Sequence, residues 1–268
     1  MKFLNHLTLG QYVPANSFVH QLDPRCKILS VIALLAGIFL MVHPAAFFAW
    51  GGLLLLLSRF SRISFKVVLQ GARPVVLLVV FTAGIHLFLT KGTVLWEWGF
   101  LSVTREGVTM ALRMGLRLFF LVLFAGFLTL TTSPMELSDG LESLFRPFER
   151  FGFPAHEMAM MMTIALRFIP TLFDETERIL RAQIARGADL EHGGLFRRMK
   201  AFIPVLVPLF VIVFQRAEDL ALAMEARCYR GGSGRTRMNP LAWKKSDTFA
   251  IAGVIAIVAF FVLLDLKG

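Results

Sequence analysis

Apolar positions fall into long clean runs in two parts of the chain and into an interleaved pattern between them. The first run, Ile28 to Leu57, covers 30 residues interrupted only by Ser30 and His43-Pro44. A membrane span needs about 20 apolar residues, so this run holds either one long tilted helix or a tight hairpin of two short ones. The flanks decide. Residues 1–27 carry Lys2, Arg25 and Lys27, and residues 58–73 carry Arg59, Arg62, Lys66 and Arg73. Basic flanks stay on the cytoplasmic side, which requires an even number of crossings between them. Two spans turning at His43-Pro44 satisfy this, each short enough to need local thinning or packing against neighbours.

A third span is expected from Pro74 to Leu89, a fourth from Gly107 to Leu130 and a fifth from Thr248 to Leu264. The loop between the third and fourth, KGTVLWEWGFLSVTRE, has two basic residues, two acidic ones and two tryptophans. Trp96 and Trp98 suit an outer membrane interface. Five crossings from a cytoplasmic N-terminus put Gly268 outside.

Between Ser133 and Ser246 apolar and charged residues alternate at helical spacing. The longest clean run there, residues 201–214, is 14 residues long and contains two prolines, too few to span comfortably. Three long amphipathic helices are predicted instead. The first is Pro134 to Phe148, with Ser133 as N-cap, Pro134 at N1 and Glu136 at N3. The second is Pro154 to Ile184 and the third Leu195 to Arg227. Asp174/Arg178 and Glu177/Arg181 are i,i+4 pairs with the acid first, the order a helix favours. Gly187 ends the second helix, and Gly193-Gly194 precede the third. The competing arrangement sends 154–170 and 201–214 through the membrane as two further spans, which leaves the parity of the ends unchanged. The predicted fold is therefore an all-α membrane protein. It has four spans in residues 1–132, a cytoplasmic helical region in 133–246 and a last span in 247–268.

Composition agrees. Of 268 residues 56% are hydrophobic and 17% charged, against roughly 25% charged in ordinary globular chains. The net charge of +10 belongs to cytoplasmic loops facing an anionic leaflet, not to a nucleic-acid surface, which would need a soluble domain to carry it. The two cysteines, Cys26 and Cys228, form no CxxC and imply neither a disulfide framework nor a zinc cluster. The first 18 residues have no continuous apolar core and no small-residue cleavage site, so they are not read as a cleaved signal peptide.

Motifs for chemistry are sparse. There is no GxxxxGK[ST] phosphate loop, and GGSGRTR at 231–237 reads as a flexible basic turn. HEMAM at 156–160 opens like a zinc-protease helix but has Met160 where the second histidine belongs, so no metal is expected. Arg113 and Arg117 stand one turn apart inside the fourth span, where charge is costly. They either line a conduction path or reach the interface and neighbouring helices. His86 in the third span is a packed residue or a ligand on the same argument. Met158, Met160, Met161 and Met162 form either a gap-filling core or a surface able to repack against different partners.

Two arginines stand out. Arg186 lies between Ala185 and Gly187 where the second helix should stop. Arg227 lies between Ala226 and Cys228 at the end of the third, 227 − 186 = 41 positions on. A cation complements the negative end of a helix dipole, which explains an arginine but not its small neighbours. Small flanks leave the guanidinium protruding, free to take carboxylates in a groove of another protein with its fixed fork of donors.

Several segments resemble the transmembrane component of energy-coupling factor transporters, ATP-driven importers of vitamins and metal ions. They are GQYVPANS at 10–17, LDPRCK at 22–27, TTSPMEL at 131–137, LRFIPTL at 166–172, AQIARG at 182–187 and AMEARCY at 223–229. They occur in the family's order over nearly the whole chain. The resemblance implies a membrane portion and a cytoplasmic coupling domain. Its two helix-end motifs would dock into two ABC-type ATPase subunits, and a separate substrate-binding membrane subunit would choose the cargo. Those motifs map onto Ala185, Arg186, Gly187 and onto Ala226, Arg227, Cys228. Cys228 departs from the usual glycine, and Cys26 from the usual threonine of the early motif. The resemblance further implies that ATP and magnesium are held by the partner ATPases and no cofactor by this chain, and that the complex sits in a prokaryotic cytoplasmic membrane. The N-terminal motif and the length sit closer to the shared-module branch than to the dedicated cobalt or nickel branch. On this reading the adaptable methionines contact the substrate-binding subunit. The alternative is a stand-alone permease lined by Arg113, Arg117 and His86. It requires internal repeats with paired broken helices, which the sequence does not show. A membrane-embedded enzyme would need a catalytic constellation within a span, and none is present in the sequence.

Overall fold

The computed structural model describes residues 12–98, 101–188, 194–231 and 240–267. These form two compact units, one of Met1–Leu144 with Pro240–Gly268 and one of Phe145–Asn239.

In the first unit α1 (Pro24–Leu40) is capped by Asp23, whose carboxylate accepts the N–H of Arg25 at 2.9 Å, with Pro24 in the first turn. One turn of 3-10 helix at Pro44–Ala46 leads into α2 (Phe47–Ser61). The 30-residue apolar run is thus a hairpin of two short helices. α3 (Phe65–Leu89) starts nine residues before the expected Pro74, which lies inside it. Hydropathy marks where a span enters lipid, whereas backbone hydrogen bonding carries the helix on into its polar approach. α4 (Arg105–Thr131) packs along α3, and the loop between them is a two-stranded antiparallel hairpin, β1 (Val94–Trp98) and β2 (Leu101–Thr104). The sequence predicts a loop here, and the hairpin is regular structure beyond that expectation. α5 (Pro134–Phe145) opens with the expected capping box, Ser133 Oγ accepting the Glu136 N–H and the Glu136 carboxylate accepting the Ser133 N–H. It stops three residues early because Pro147 bars Arg146 from continuing the α-helix, and the chain tightens to a 3-10 turn over Arg146–Phe151. α8 (Lys245–Lys267) completes the unit.

The core sits where α1, α2, α4 and α8 meet, around the fully buried Trp50. Its indole meets Phe124 and Phe261 edge to face at 5.7 and 5.5 Å. Gly37 on α1 permits this closeness, since a Cβ there would lie 2.7 Å from Val258 and 2.9 Å from Trp50.

Each end of this bundle is fastened by a buried carboxylate from α8. At one end Asp247 accepts the N–H groups of Asp23 (3.0 Å) and Lys244 (2.7 Å). Beside it Lys27 donates to the carbonyls of His20 (2.8 Å) and of Thr131 at the end of α4 (3.1 Å). At the other end Asp265 accepts the N–H groups of Val42 (2.6 Å) and His43 (3.0 Å) in the α1–α2 turn. Arg117 reaches the same turn from α4, donating to the Met41 carbonyl at 2.7 Å with its guanidinium 5.8 Å from the Phe39 ring. A turn between two apolar helices exposes backbone polar groups that need internal partners wherever water is scarce, and these side chains supply partners to Met41, Val42 and His43.

In the second unit α6 (Ala155–Ala185) and α7 (Leu195–Ala226) run antiparallel. Arg216 donates to Glu175 at 2.8 Å, and Gln183 donates to the Pro204 carbonyl at 3.2 Å. Pro208 has no N–H for that carbonyl four residues before it, so the side chain from α6 substitutes for the lost helical bond. The Glu177–Arg181 pair forms as expected. Arg178 turns instead to Glu175, three residues back, at 3.3 Å and not to Asp174, because Glu175 is half-buried at the helix pairing.

By length and composition, four helices among the described residues are able to cross a membrane: α3, α4, α8 and the Met199–Ala226 portion of α7. α2 is apolar but shorter, at 15 residues. The α7 portion is 28 residues long, whereas the clean apolar run at 201–214 predicts a segment too short to span.

Candidate functional site: two matched helix tips

α6 and α7 end in the same way. Arg186 has φ −84° and ψ 4°, and Arg227 has φ −91° and ψ 14°. The next residue is left-handed in both, Gly187 at φ +88° and Cys228 at +57°. The Gly187 N–H donates to the Ile184 carbonyl (2.9 Å) and the Ala188 N–H to the Gln183 carbonyl (3.0 Å). At the other tip the Cys228 N–H donates to Glu225 (2.8 Å) and the Tyr229 N–H to Met224 (3.0 Å). Both ends are Schellman motifs, which satisfy otherwise orphaned last-turn carbonyls. Glycine adopts the left-handed position freely and cysteine does so at a cost. The substitution at 228 therefore strains the turn without changing its form.

The consequence is the same on both helices. The C-cap arginine is thrown outward between two small residues. Ala185, Arg186 and Gly187 are exposed, as are Ala226, Arg227 and Cys228. Among the described residues neither guanidinium has an ion-pair or hydrogen-bond partner. Each stands at the negative end of a helix dipole, positioned to grip a carboxylate from outside. The antiparallel pairing puts the tips at opposite ends of the helix pair, about 35–40 Å apart along it at 1.5 Å per residue.

The surfaces around the two tips differ. Beside Arg227 lies a half-open hollow of about 610 Å³, lined by the apolar Met160, Ile164, Leu220 and Met224 and by Arg227, Cys228, Tyr229 and Arg230. At the other tip the residues equivalent to Met224 and Tyr229 are Gln183 and Ala188. The sequence reading found the two arginines but not this cavity. Its signal was the pairing of Met224 with Tyr229, the apolar contact that accompanies many such helix ends.

The four methionines do not share one role. Met158, Met161 and Met162 are exposed on one face of α6, whereas Met160 turns toward α7 and lines the cavity. α7 shows a matching exposed apolar stripe: Phe202, Ile203, Leu206, Val207, Phe210 and Phe214. Of the intramembrane candidates, Arg117 is committed to the α1–α2 turn, Arg113 is half-buried one turn away, and His86 is half-buried in the last turn of α3. Arg113, Arg117 and His86 belong to the first unit and take no part in the tips. Of the basic turn at 231–237, positions 232–237 lie outside the described residues.

A family model described as CbiQ, cobalt transport protein, matches residues 15–238. The energy-coupling factor transporter transmembrane protein EcfT of Thermanaerovibrio acidaminovorans is 58% identical over 265 residues, covering 99% of this chain and 98% of the relative. The EcfT proteins of Acidaminococcus fermentans and Bacillus subtilis are 48% and 40% identical over 264 and 262 residues. They cover 98% and 97% of this chain and 98% and 99% of their own lengths. The chain belongs to this family and is a membrane-embedded transmembrane component of an energy-coupling factor transporter.

Proposed function

We propose that the chain, as a member of that family, is the coupling subunit of an ATP-driven importer of vitamins or metal ions. Two ABC-type ATPase subunits hold the ATP and magnesium. Each receives one tip, Ala185-Arg186-Gly187 or Ala226-Arg227-Cys228, in an acidic groove. The observation that carries this reading is the identity of the two tips in backbone form and in an exposed arginine that has no ion-pair partner among the described residues. Their separation of about 35–40 Å suits two neighbouring globular subunits of ordinary domain size and exceeds the reach of one groove.

The substrate-binding membrane subunit rests on the exposed apolar face of α6 at Met158, Met161 and Met162 together with the stripe on α7. Met is unbranched and repacks easily, which suits a surface serving interchangeable partners. The complex sits in the cytoplasmic membrane of a prokaryote with the N-terminus and the α6–α7 unit inside and Gly268 outside.

The test is substrate uptake and ATPase co-purification for Arg186→Ala, Arg227→Ala and the double variant. A desolvated arginine gripping a carboxylate should cost about 2–5 kcal/mol on truncation. An arginine that only complements the helix dipole should cost about 0.3–1 kcal/mol and leave assembly intact. Lysine should rescue incompletely, since it offers a point charge and no fork. The double variant should still insert into the membrane but lose uptake. Wild-type uptake in the double variant would rule the mechanism out.

A further inference from the structure

We infer that the two tips are not equivalent docking elements. The cavity under Arg227 accepts an apolar side chain, aromatic or branched aliphatic, projecting beside the carboxylate that Arg227 grips on its ATPase subunit. This rests on the docking reading above and adds to it the chemistry of one of the two partners.

Three observations lead here. The hollow, half open to its surroundings and about 610 Å³ in volume, offers four apolar side chains to a visitor: Met160, Ile164, Leu220 and Met224. Its rim is cationic, with Arg227 and Arg230 both exposed. A complementary surface therefore needs an apolar projection ringed by negative charge. The cavity also opens at the arginine itself, so a partner that reaches Arg227 covers it in the same step.

At the α6 tip Gln183 and Ala188 stand where Met224 and Tyr229 do at the other, and the Gln183 amide is spent on the Pro204 carbonyl, while Ile184 beside it is exposed. A partner surface that reads Met224 and Tyr229 at the α7 tip therefore meets a polar amide and a methyl at the same two positions of the α6 tip.

The chain carries its own reporter. Cys228 is exposed at the rim, while Cys26 is fully buried, so a maleimide reads the α7 tip in the unmodified protein. Labelling of Cys228 in the purified chain should be rapid and should slow at least tenfold once the two ATPases are bound. ATPase affinity is then measured in an Arg186→Ala background, where attachment depends on the α7 tip. Leu220→Gln with Met224→Gln keeps helix propensity and charge but makes the cavity polar. It should weaken binding roughly ten- to hundredfold, the worth of burying one large apolar side chain. Met160→Trp, which fills the cavity from α6, should do the same, and guards against the double variant losing its fold. If these variants bind like the background while Arg227→Ala releases the ATPase, docking stands and the cavity proposal is overturned. If Arg227→Ala also binds normally, the docking reading itself falls. Unchanged Cys228 labelling in the wild-type complex, or loss of the substrate-binding subunit with the ATPases retained, likewise overturns the proposal.

Discussion

Replacing Asp247 with alanine should open the junction between the two ends of the first unit. Asp247 is fully buried, and its two oxygens accept two backbone N–H groups, Asp23 at 3.0 Å and Lys244 at 2.7 Å. Asp23 is itself buried at 6% exposure. Alanine leaves the buried Asp23 donor without a partner, whereas the Lys244 N–H, on an exposed residue, can turn to water. An orphaned buried donor costs about 1–3 kcal/mol, so the loss is about 1–3 kcal/mol. Asparagine keeps one acceptor oxygen and turns an amide N–H₂ toward the second donor, so it should lose about half of that. Asp219, exposed on α7, is the control, with an expected change within about 0.5 kcal/mol. Hydrogen exchange in nanodiscs reads the junction directly. Peptides spanning 20–28 and 241–250 should exchange roughly 5-fold to more than 100-fold faster in Asp247→Ala, by the conversion of about 1.4 kcal/mol per decade. Cys26 supplies a second readout, because its buried thiol donates to the Asp247 carbonyl at 3.3 Å and should become reactive toward maleimide as the junction opens. Exchange within about twofold of wild type in both peptides, with Cys26 still protected, would refute the reasoning.

Cys228→Gly should relieve left-handed strain of about 1 kcal/mol and raise protection of the Tyr229 amide about fivefold. Gly187→Ala should lower protection of Ala188 by a similar factor, and a change of the opposite sign at either tip would contradict the strain assignment. Met158→Ala, Met161→Ala and Met162→Ala combined should reduce retention of the substrate-binding subunit while leaving ATPase attachment intact; loss of the ATPases first would count against that face. Trp96→Cys in a cysteine-free background should label from outside intact cells, and labelling from the cytoplasmic side alone would reverse the topology.

Much of the fold was legible because its signals are local. The break at His43-Pro44, the Ser133/Glu136 capping box and the stops at Arg186 and Arg227 each depend on residues within a few positions of one another. Apolar periodicity gave α6 and α7 nearly to the residue. The errors were local too, where a second rule competed: Pro74 did not start α3, and Pro147 did shorten α5. The hairpin at β1 and β2 was missed because its alternating run is only nine residues with the turn removed, too short to stand out against two spans.

The candidate site divides the same way. Two small-flanked arginines at helix ends could be read off the chain, whereas the left-handed backbone at Cys228 emerged only with the structure. That Met160 faces α7 while its neighbours face outward could not, since four methionines within five positions cover more than a helical turn and carry no preference among faces.

The sequence by itself determined the all-α membrane class, the helices and the chemistry of the two tips, because hydropathy, helical period and capping act over one to six residues. Only the tertiary structure decided which groups met across the chain. Asp247 reaches Asp23, 224 positions away, Asp265 reaches Val42 over 223, and Arg117 reaches Met41 over 76. An acid near the end of an apolar helix looks like an exposed terminus residue until packing carries it against another helix's unpaired N–H groups. That pairing is fixed by the shapes of Trp50, Gly37 and Val258 at the bundle centre, and no pattern along α8 encodes them.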